Sequence, residues 1–196
     1  MTSWNYNTPG IEDQFFYRDQ VPMTKSEIRA LIISKLKLKS GQIIYDIGAG
    51  SGSVSIETAL QVKDGLVYAV EKEKQACQVI EKNIERFKVN NIKLIQGTAP
   101  EALNTLEAAD RIFIGGSSGK LAEILTLSLK KLKAGGIILL SAITLNTLTE
   151  VASYFNNGSE EVEVWSININ YTQKIKDYKL FKALNQIFLI RITEGG

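Results

Sequence analysis

A short glycine-rich segment carries the most chemical information in this chain. Residues 46–52 read Asp-Ile-Gly-Ala-Gly-Ser-Gly, and they follow the run 42–45, which is typical of a buried parallel strand. The next residues, 53–62, have the pattern of a helix. A strand, a glycine turn and a helix N-terminus form a nucleotide-sized site, because glycine leaves bare backbone for a ligand to lie against.

The spacing of these glycines distinguishes between two kinds of cofactor. A dinucleotide fingerprint reads G-x-G-x-x-G, and its third glycine tightens the contact with pyrophosphate. Here the third glycine, Gly52, comes one residue early, and Ser53 occupies the place of the dinucleotide glycine. Asp46, two positions before Gly48, resembles the acidic residue in the first motif of class I S-adenosylmethionine (SAM) methyltransferases. SAM carries no phosphate, so the turn has to accommodate an adenosyl-methionine body.

A second acidic residue supports this interpretation. Glu71 ends the next strand-like run, 66–70, and lies 25 residues after Asp46. A carboxylate at the tip of the second strand accepts hydrogen bonds from both ribose hydroxyls and repels a 2′-phosphate. We therefore predict that Glu71 binds the ribose of the cofactor. The alternative is an ordinary solvated strand end.

Composition narrows the possible functions. The 196 residues fit one α/β domain, and 23 basic against 21 acidic residues give a net charge of +2, so no strong field favours nucleic acid. The chain has no histidine, which removes the usual general base and every His-based metal site. Its only cysteine is Cys77, which excludes a Cys-rich zinc site. We predict that the protein needs no metal of its own.

The sequence also gives an expectation about location. The first residues have no basic-then-apolar signal pattern, and no apolar run approaches the length of a membrane span. We therefore expect a cytoplasmic protein that does not bind a membrane.

Strands and helices alternate along most of the chain. The predicted strands are 43–47, 66–70, 92–96, 111–114 and 136–141, and the predicted helices are 53–62, 75–87, 100–106, 119–132 and 146–156. This alternation predicts a parallel sheet with helices on both faces. Before it, residues 1–22 are predicted to form an irregular N-terminal arm. Thr24 and Glu27 match a capping box that opens a further helix.

The C-terminal residues have a different pattern. Residues 161–171 alternate, and after a basic stretch a further strand-like run covers 184–192 with no space for a helix. We predict an antiparallel hairpin that closes the sheet edge, as in the seven-stranded, Rossmann-like class I SAM methyltransferases. The chain 1–196 is thus predicted to be a single α/β methyltransferase domain with a mostly parallel sheet.

Beyond the glycine turn, the chain resembles one particular family. The segments that carry the resemblance are 9–30, 46–57, 97–101 (Gly-Thr-Ala-Pro-Glu) and 110–119 (Asp-Arg-Ile-Phe-Ile-Gly-Gly-Ser-Ser-Gly). They occur in the family's order and extend over nearly the whole chain. The family is that of the stand-alone cobalt-precorrin-6B (precorrin-8W type) C15-methyltransferases of the cobalamin pathway. A similar domain forms the C-terminal part of a fused C5,C15-methyltransferase.

The resemblance implies an activity and its partners. Family members use SAM to methylate C15 of a (cobalt-)precorrin, and they decarboxylate the acetate on ring C (C12). The implied partners are a tetrapyrrole substrate and further copies of the chain in a homotetramer. The alternative is a class I SAM methyltransferase that acts on RNA, protein or another small molecule. Nucleic-acid amino-methyltransferases carry an Asp/Asn-Pro-Pro-aromatic segment after the fourth strand, where this chain has glycine and serine.

The resemblance also implies which residues bind the two ligands. Those implied for SAM are Thr24, Gly48, Ala49, Gly50, Ser51, Gly52, Glu71, Gly97, Thr98 and Ala99. Those implied for the tetrapyrrole are Gly115, Gly116, Ser117, Ser118 and Lys120. A glycine-serine loop before a helix offers N–H donors and hydroxyls that suit carboxylates. No residue is assigned as the proton donor for the decarboxylation; without histidine it would be a Tyr, Lys, Glu or water.

Other residues are candidates for the outer part of the substrate site. Basic side chains that could neutralise further carboxylates are Arg18, Lys25, Arg29, Lys174, Lys176, Lys179 and Lys182. An aromatic lid over the macrocycle could come from Phe15, Phe16 and Tyr17, for which packing of the arm into the core is the alternative.

Overall fold

The computed structural model describes residues 4–156 and 158–194. The helices are α1 (Ser26–Leu36), α2 (Ser53–Gln61), α3 (Lys74–Phe87), α4 (Leu121–Lys131) and α5 (Leu145–Tyr154). The strands are β1 (Ile43–Ile47), β2 (Leu66–Glu71), β3 (Ile92–Gln96), β4 (Ala109–Ile114), β5 (Leu132–Ala142), β6 (Glu161–Ile167), β7 (Asn170–Ile175), β8 (Tyr178–Ala183) and β9 (Ile187–Thr193).

Seven of these strands form one sheet in the order β3-β2-β1-β4-β5-β9-β6. Strands β1 to β5 are parallel, and β9 runs antiparallel to both β5 and β6. The prediction of a seven-stranded, mostly parallel sheet with an antiparallel ending is confirmed. The order of the strands reverses between β1 and β4. In open α/β sheets, ligands bind in the crevice that such a reversal leaves beyond the carboxyl ends of the strands.

Strand periodicity explains how the helices cover both faces of the sheet. In β4, Ile112 and Ile114 belong to a core cluster with α4 and α5, whereas Phe113 belongs to a cluster with α1. Successive side chains of a strand point to opposite faces, so one short apolar run supplies both clusters. The helices in turn provide buried side chains such as Ile32 of α1 and Leu125 of α4.

A buried arginine holds the N-terminal arm against the helices. Arg29 of α1 is fully buried, and its Nε lies 2.7 Å from Oε1 of Glu57 in α2. Its Nη1 lies 3.0 Å from Oδ1 of Asp13 in the arm. The guanidinium also donates to the carbonyls of Ile11 and Thr24. A buried charge is strongly unfavourable without partners, so these contacts fix the path of the arm.

This arrangement corrects two predictions. Arg29 does not bind the substrate, because it is buried and its partners are the arm and α2. The predicted capping box at Thr24 and Glu27 is also wrong. The N-cap of α1 is Lys25 without a side-chain cap, and the N–H of Ser26 donates to Oδ1 of Asp13 at 3.1 Å. The carboxylate at this helix N-terminus therefore comes from the arm.

The prediction of a helix over residues 100–106 is wrong. These residues form only a short 3-10 turn at Glu101–Leu103, directly after Pro100. Both Leu103 and Leu106 are buried in the cluster with α4. The 3-10 turn ends at Leu103, and the chain then continues without a further helix to β4, which begins at Ala109.

The C-terminal hairpin contains an additional ribbon. Strands β6 and β9 pair at the sheet edge, as predicted, but β7 and β8 pair only with each other among the described strands. Both strands of this ribbon are exposed throughout. The sequence pattern merged the start of β7 with β6, because both segments alternate and only two residues separate them.

Candidate active site

A cleft of about 290 Å³ opens beyond the carboxyl ends of β1, β2, β3 and β4. It lies at the point where the strand order reverses, which is where an α/β fold of this kind binds ligands. The predicted residues that line it are Gly48, Gly50, Glu71, Gly97, Thr98, Ala99, Gly116, Ser117 and Ser118. The structure therefore brings together six residues predicted for the cofactor and three predicted for the substrate.

The other predicted residues do not line this cleft. They are Thr24, Ala49, Ser51, Gly52, Gly115 and Lys120. Thr24 offers its carbonyl to Arg29, and Ser51 offers its carbonyl to Asn83. The ammonium group of Lys120 lies 2.6 Å from Oε1 of Glu101. Thr24, Ser51 and Lys120 therefore each have a partner within the protein.

Gly48 allows two loops to meet backbone to backbone. Its φ is +72°, and a Cβ atom there would lie 2.8 Å from both N and O of Gly116. The N–H of Gly48 donates to the carbonyl of Val70 at 2.9 Å, and the N–H of Gly115 donates to the carbonyl of Ile47 at 2.9 Å. The glycine turn is thus held between the ends of β2 and β4, and only glycine suits both the φ and the space.

Backbone N–H groups fix the carboxylate of Glu71. Its Oε2 accepts from the N–H of Gly50 at 2.9 Å. Its Oε1 accepts from the N–H groups of Lys72 at 2.8 Å and Glu73 at 2.9 Å. A carboxylate has about four acceptor positions, so part of its capacity remains for a ligand. The group is preorganised at the end of β2, next to the glycine turn, as a ribose acceptor requires.

Asp46 lies beneath the glycine turn and is almost completely buried. The hydroxyl of Ser55 donates to its Oδ2. Burial raises the pKa of Asp46 to about 6; the hydrogen bonds from Ser55 oppose this rise, and the charge of Glu71 adds to it. The acid of the motif therefore acts from behind the turn and does not contact the cleft.

Several lining residues were missed by the sequence interpretation. Val21 and Pro22 of the arm line the cleft, and so do Lys72, Glu73 and Ala76 at the start of α3. The pair Val21-Pro22 is visible in the sequence only as a break in regular structure. The pair lies over the cleft because the arm is held by residues that are distant from it in sequence.

The aromatic residues of the arm have separate roles. Phe16 is buried, and its ring packs against Phe87 with centroids 4.7 Å apart, so the alternative of core packing holds for it. Phe15 packs against Trp4. Tyr17 is exposed and has the guanidinium of Arg86 over its ring.

The described residues offer neither a metal site nor a membrane-spanning helix. Within residues 4–156 and 158–194, no group of three or more His, Cys, Asp or Glu side chains could hold a metal ion. Among the helices in the described part of the chain, none has the length and apolar character to cross a membrane. The predicted lack of a metal and the predicted cytoplasmic location stay predictions.

Comparison with known proteins identifies the family. Residues 14–194 match the family model of the precorrin methyltransferase domain. The chain belongs to this family. A precorrin methyltransferase relative from Saccharolobus solfataricus, named probable cobalt-precorrin-6B C(15)-methyltransferase (decarboxylating), is 44% identical over 192 residues. The match covers 95% of this chain and 96% of the relative.

Two solved structures of precorrin enzymes share the fold. Precorrin-6y C5,15-methyltransferase from Geobacter metallireducens has a TM-score of 0.91 at 38% identity, covering 96% of this chain and 100% of that chain. Precorrin 8W decarboxylase from Methanobacterium thermoautotrophicum has a TM-score of 0.87 at 32% identity, covering 92% of this chain and 98% of that chain. The family resemblance and the Rossmann-like methyltransferase fold predicted from the sequence are confirmed.

The contact at Gly48 can be tested with a matched pair of variants. Gly48→Ala places a methyl group against the backbone of Gly116, whereas Gly41→Ala has a similar φ, +78°, and open space around it. Both variants incur the strain of a left-handed alanine, about 1 kcal/mol. We expect Gly48→Ala to lose at least about 2 kcal/mol more unfolding free energy in urea. Equal losses would contradict the contact.

The raised pKa of Asp46 predicts a pH-dependent stability. The folded state binds this proton more tightly than the unfolded state, so the stabilisation is complete below about pH 4 and is lost as pH rises through about 6. Asp46→Asn removes the dependence. In urea denaturation, the unfolding free energy of Asp46→Asn relative to that of wild type should rise by about 2–3 kcal/mol between about pH 4 and pH 8. The exposed Asp177→Asn is the control, and a constant difference for Asp46→Asn would refute the prediction.

Proposed function

We propose that this protein uses SAM to methylate C15 of a precorrin and to couple this with decarboxylation of the ring C acetate. One observation carries the proposal: the cleft of a precorrin methyltransferase chain holds a carboxylate, Glu71, fixed by three backbone N–H groups beside a glycine turn. The names of the S. solfataricus relative and of the M. thermoautotrophicum decarboxylase support both halves of the reaction. Residues 1–196 would act as one domain.

The residues of the cleft fit SAM. Gly48 and Gly50 present backbone without side chains, and Glu71 is placed to accept hydrogen bonds from ribose hydroxyls. Thr98 and Ala99, after β3, line the cleft, and we assign them to the flank of the adenine. The carboxylates of Glu71 and Glu73 favour a sulfonium cation and disfavour a phosphate. When bound, SAM supplies an electrophilic methyl group.

The loop after β4 suits the substrate. Gly116, Ser117 and Ser118 line the cleft on the side opposite Glu71, and Gly116 touches the glycine turn. We assign this loop to a substrate carboxylate, which would accept hydrogen bonds from its N–H groups and hydroxyls. Lys120 would assist only by exchanging its present partner, Glu101.

The chemistry requires the protein mainly to position its ligands and exclude water. The electron-rich tetrapyrrole supplies the carbon nucleophile, so alignment of C15 with the methyl donor carries most of the catalysis. Val21, Pro22 and Ile124 give the cleft apolar surface that limits water. During decarboxylation the conjugated ring system accepts the electron pair, and a proton then completes the new methyl group. Lys72 and Glu73 are protonatable groups of the lining.

We also propose that the protein assembles as a homotetramer. The β7–β8 ribbon exposes large apolar side chains, which are Tyr171, Ile175, Tyr178, Leu180 and Phe181. The last strand of the sheet, β6, exposes Val164. An exposed apolar surface beside a sheet edge is suited to pairing with another chain. The number four rests on the family resemblance.

The ribbon gives a test of this assembly. Phe181 is 80% exposed, and Phe181→Glu places a charge where we expect a subunit contact. Light scattering after size-exclusion chromatography should show a tetramer for wild type and a smaller species for this variant. Tyr6→Glu is the control, since Tyr6 is a 70% exposed aromatic residue of the arm. A monomeric wild type would contradict the assembly.

The cofactor assignment is tested by calorimetric titration with S-adenosylhomocysteine. We expect micromolar binding by wild type and binding weaker by about tenfold or more for Glu71→Ala, because charge-assisted hydrogen bonds to the ribose are lost. Glu123→Ala removes the same charge from α4, outside the cleft, and should bind as wild type does. No binding by wild type, or binding of NAD in its place, would overturn the proposal.

A further inference from the structure

We propose that Asn83 is a positioning residue that holds the glycine turn and the N-terminal arm together as the two sides of the cofactor cleft. The residue lies on α3 and is not among the residues that line the cleft. The inference rests on the proposed function in that the cleft is taken to bind SAM.

The amide of Asn83 joins two segments that are far apart in sequence. Its Nδ2 donates to the carbonyl of Ser51 in the glycine turn at 2.9 Å and to the carbonyl of Tyr17 in the arm at 2.8 Å. Its Oδ1 accepts from the N–H of Tyr17 at 2.8 Å. Both N–H donors and the carbonyl oxygen of one side chain are therefore used. This arrangement clamps the backbone of the arm to the backbone of the turn.

Each of the clamped segments leads directly into the cleft. Ser51 lies between two glycines of the turn, and Gly50 is the residue whose N–H binds Glu71. The arm continues from Tyr17 to Pro22, which lines the cleft. A Cβ atom on Gly50 would lie 3.2 Å from the carbonyl oxygen of Pro22, so the two segments meet again inside the site. A shift of either segment would change the width of the cleft.

The face of α3 around Asn83 packs closely on the turn. A Cβ atom on Gly52 would lie 3.0 Å from the side chain of Ile80, three residues before Asn83 on the helix. Residues three apart lie on the same helix face. Ile80 therefore sets the distance between helix and turn, and Asn83 adds directional hydrogen bonds to the same contact.

An asparagine at position 83 is unfavourable for the stability of helix α3. Its presence there indicates a role other than stabilising the helix. Asparagine is a weak helix former, and this one lies well inside α3. The side chain is fully buried, and burying an amide is costly unless its hydrogen bonds are made. Such a residue is expected where a unique geometry matters more than stability.

The test compares Asn83→Ser with Asn91→Ala, a control at a second asparagine. A serine hydroxyl is too short and has too few donors to replace the three hydrogen bonds. In Asn91→Ala, a different asparagine loses its single bond to the carbonyl of Ala59, which is remote from the cleft. We expect the Kd for S-adenosylhomocysteine, and the KM for SAM, to rise about tenfold or more in Asn83→Ser with kcat within about twofold. Asn91→Ala should bind like wild type.

The outcomes separate this inference from the proposed function. If wild type does not bind S-adenosylhomocysteine, the proposed function fails. If wild type binds it and a folded Asn83→Ser binds equally well, the positioning role is refuted. Equal weakening in Asn91→Ala would also refute it, because general destabilisation would then explain the effect.

A measurement on wild type decides the matter if Asn83→Ser does not fold. Hydrogen exchange is followed by mass spectrometry with and without S-adenosylhomocysteine. The clamp predicts that the ligand protects residues 48–52 of the turn together with residues 15–19 of the arm, which lie outside the lining of the cleft and include Tyr17, the partner of Asn83. Protection of the turn without residues 15–19 would overturn the inference.

Discussion

The backbone contact between Gly48 and Gly116 is the constraint on which the rest of the site depends. It joins the loops after β1 and β4, the neighbouring strands between which the strand order reverses. Because the turn is held there, the N–H of Gly50 reaches the carboxylate of Glu71. The carbonyl of Ser51 is likewise within reach of Asn83. The cofactor site, the substrate loop and the arm are thus all positioned by contacts with one short glycine turn.

Arg29 and Asp46 are charged side chains buried near this turn, and they differ in whether an opposite charge lies beside them. Arg29 is balanced by Glu57 and Asp13, and truncating a partner of such a buried ion pair usually costs several kcal/mol, about 3–5. Asp46 has hydrogen bonds from Ser55 but no cationic partner among its described contacts, and burial raises its pKa. The first arrangement fixes the arm. The second leaves an unfavourable charge beneath the turn, at the position where function and not stability sets the sequence.

Much of the sheet and of the cofactor side could be predicted from the sequence, because local patterns determine them. The glycine spacing and Glu71 at the end of β2 identify the cleft without any knowledge of long-range contacts. The arm could not be placed in this way. Asp13 caps α1 in place of Thr24, and Val21 enters the cleft, because Arg29 and Asn83 hold a segment whose partners are distant in sequence.

The β7–β8 ribbon shows a second limit of sequence patterns. Alternating residues predict a strand but not its partner, and an exposed ribbon lacks the buried face that specifies register. The family comparison favours the precorrin reaction over the RNA and protein alternatives, since relatives over nearly the full length carry precorrin names.

We propose that one chain performs methyl transfer and decarboxylation on the same tetrapyrrole. The most direct measurement incubates the purified protein with a precorrin substrate and SAM labelled with ¹³C in its methyl group, followed by mass spectrometry and NMR of the product. We expect one labelled methyl group at C15 and the loss of one carbon dioxide from the ring C acetate. Label at another position, or a product that keeps its acetate, would contradict it.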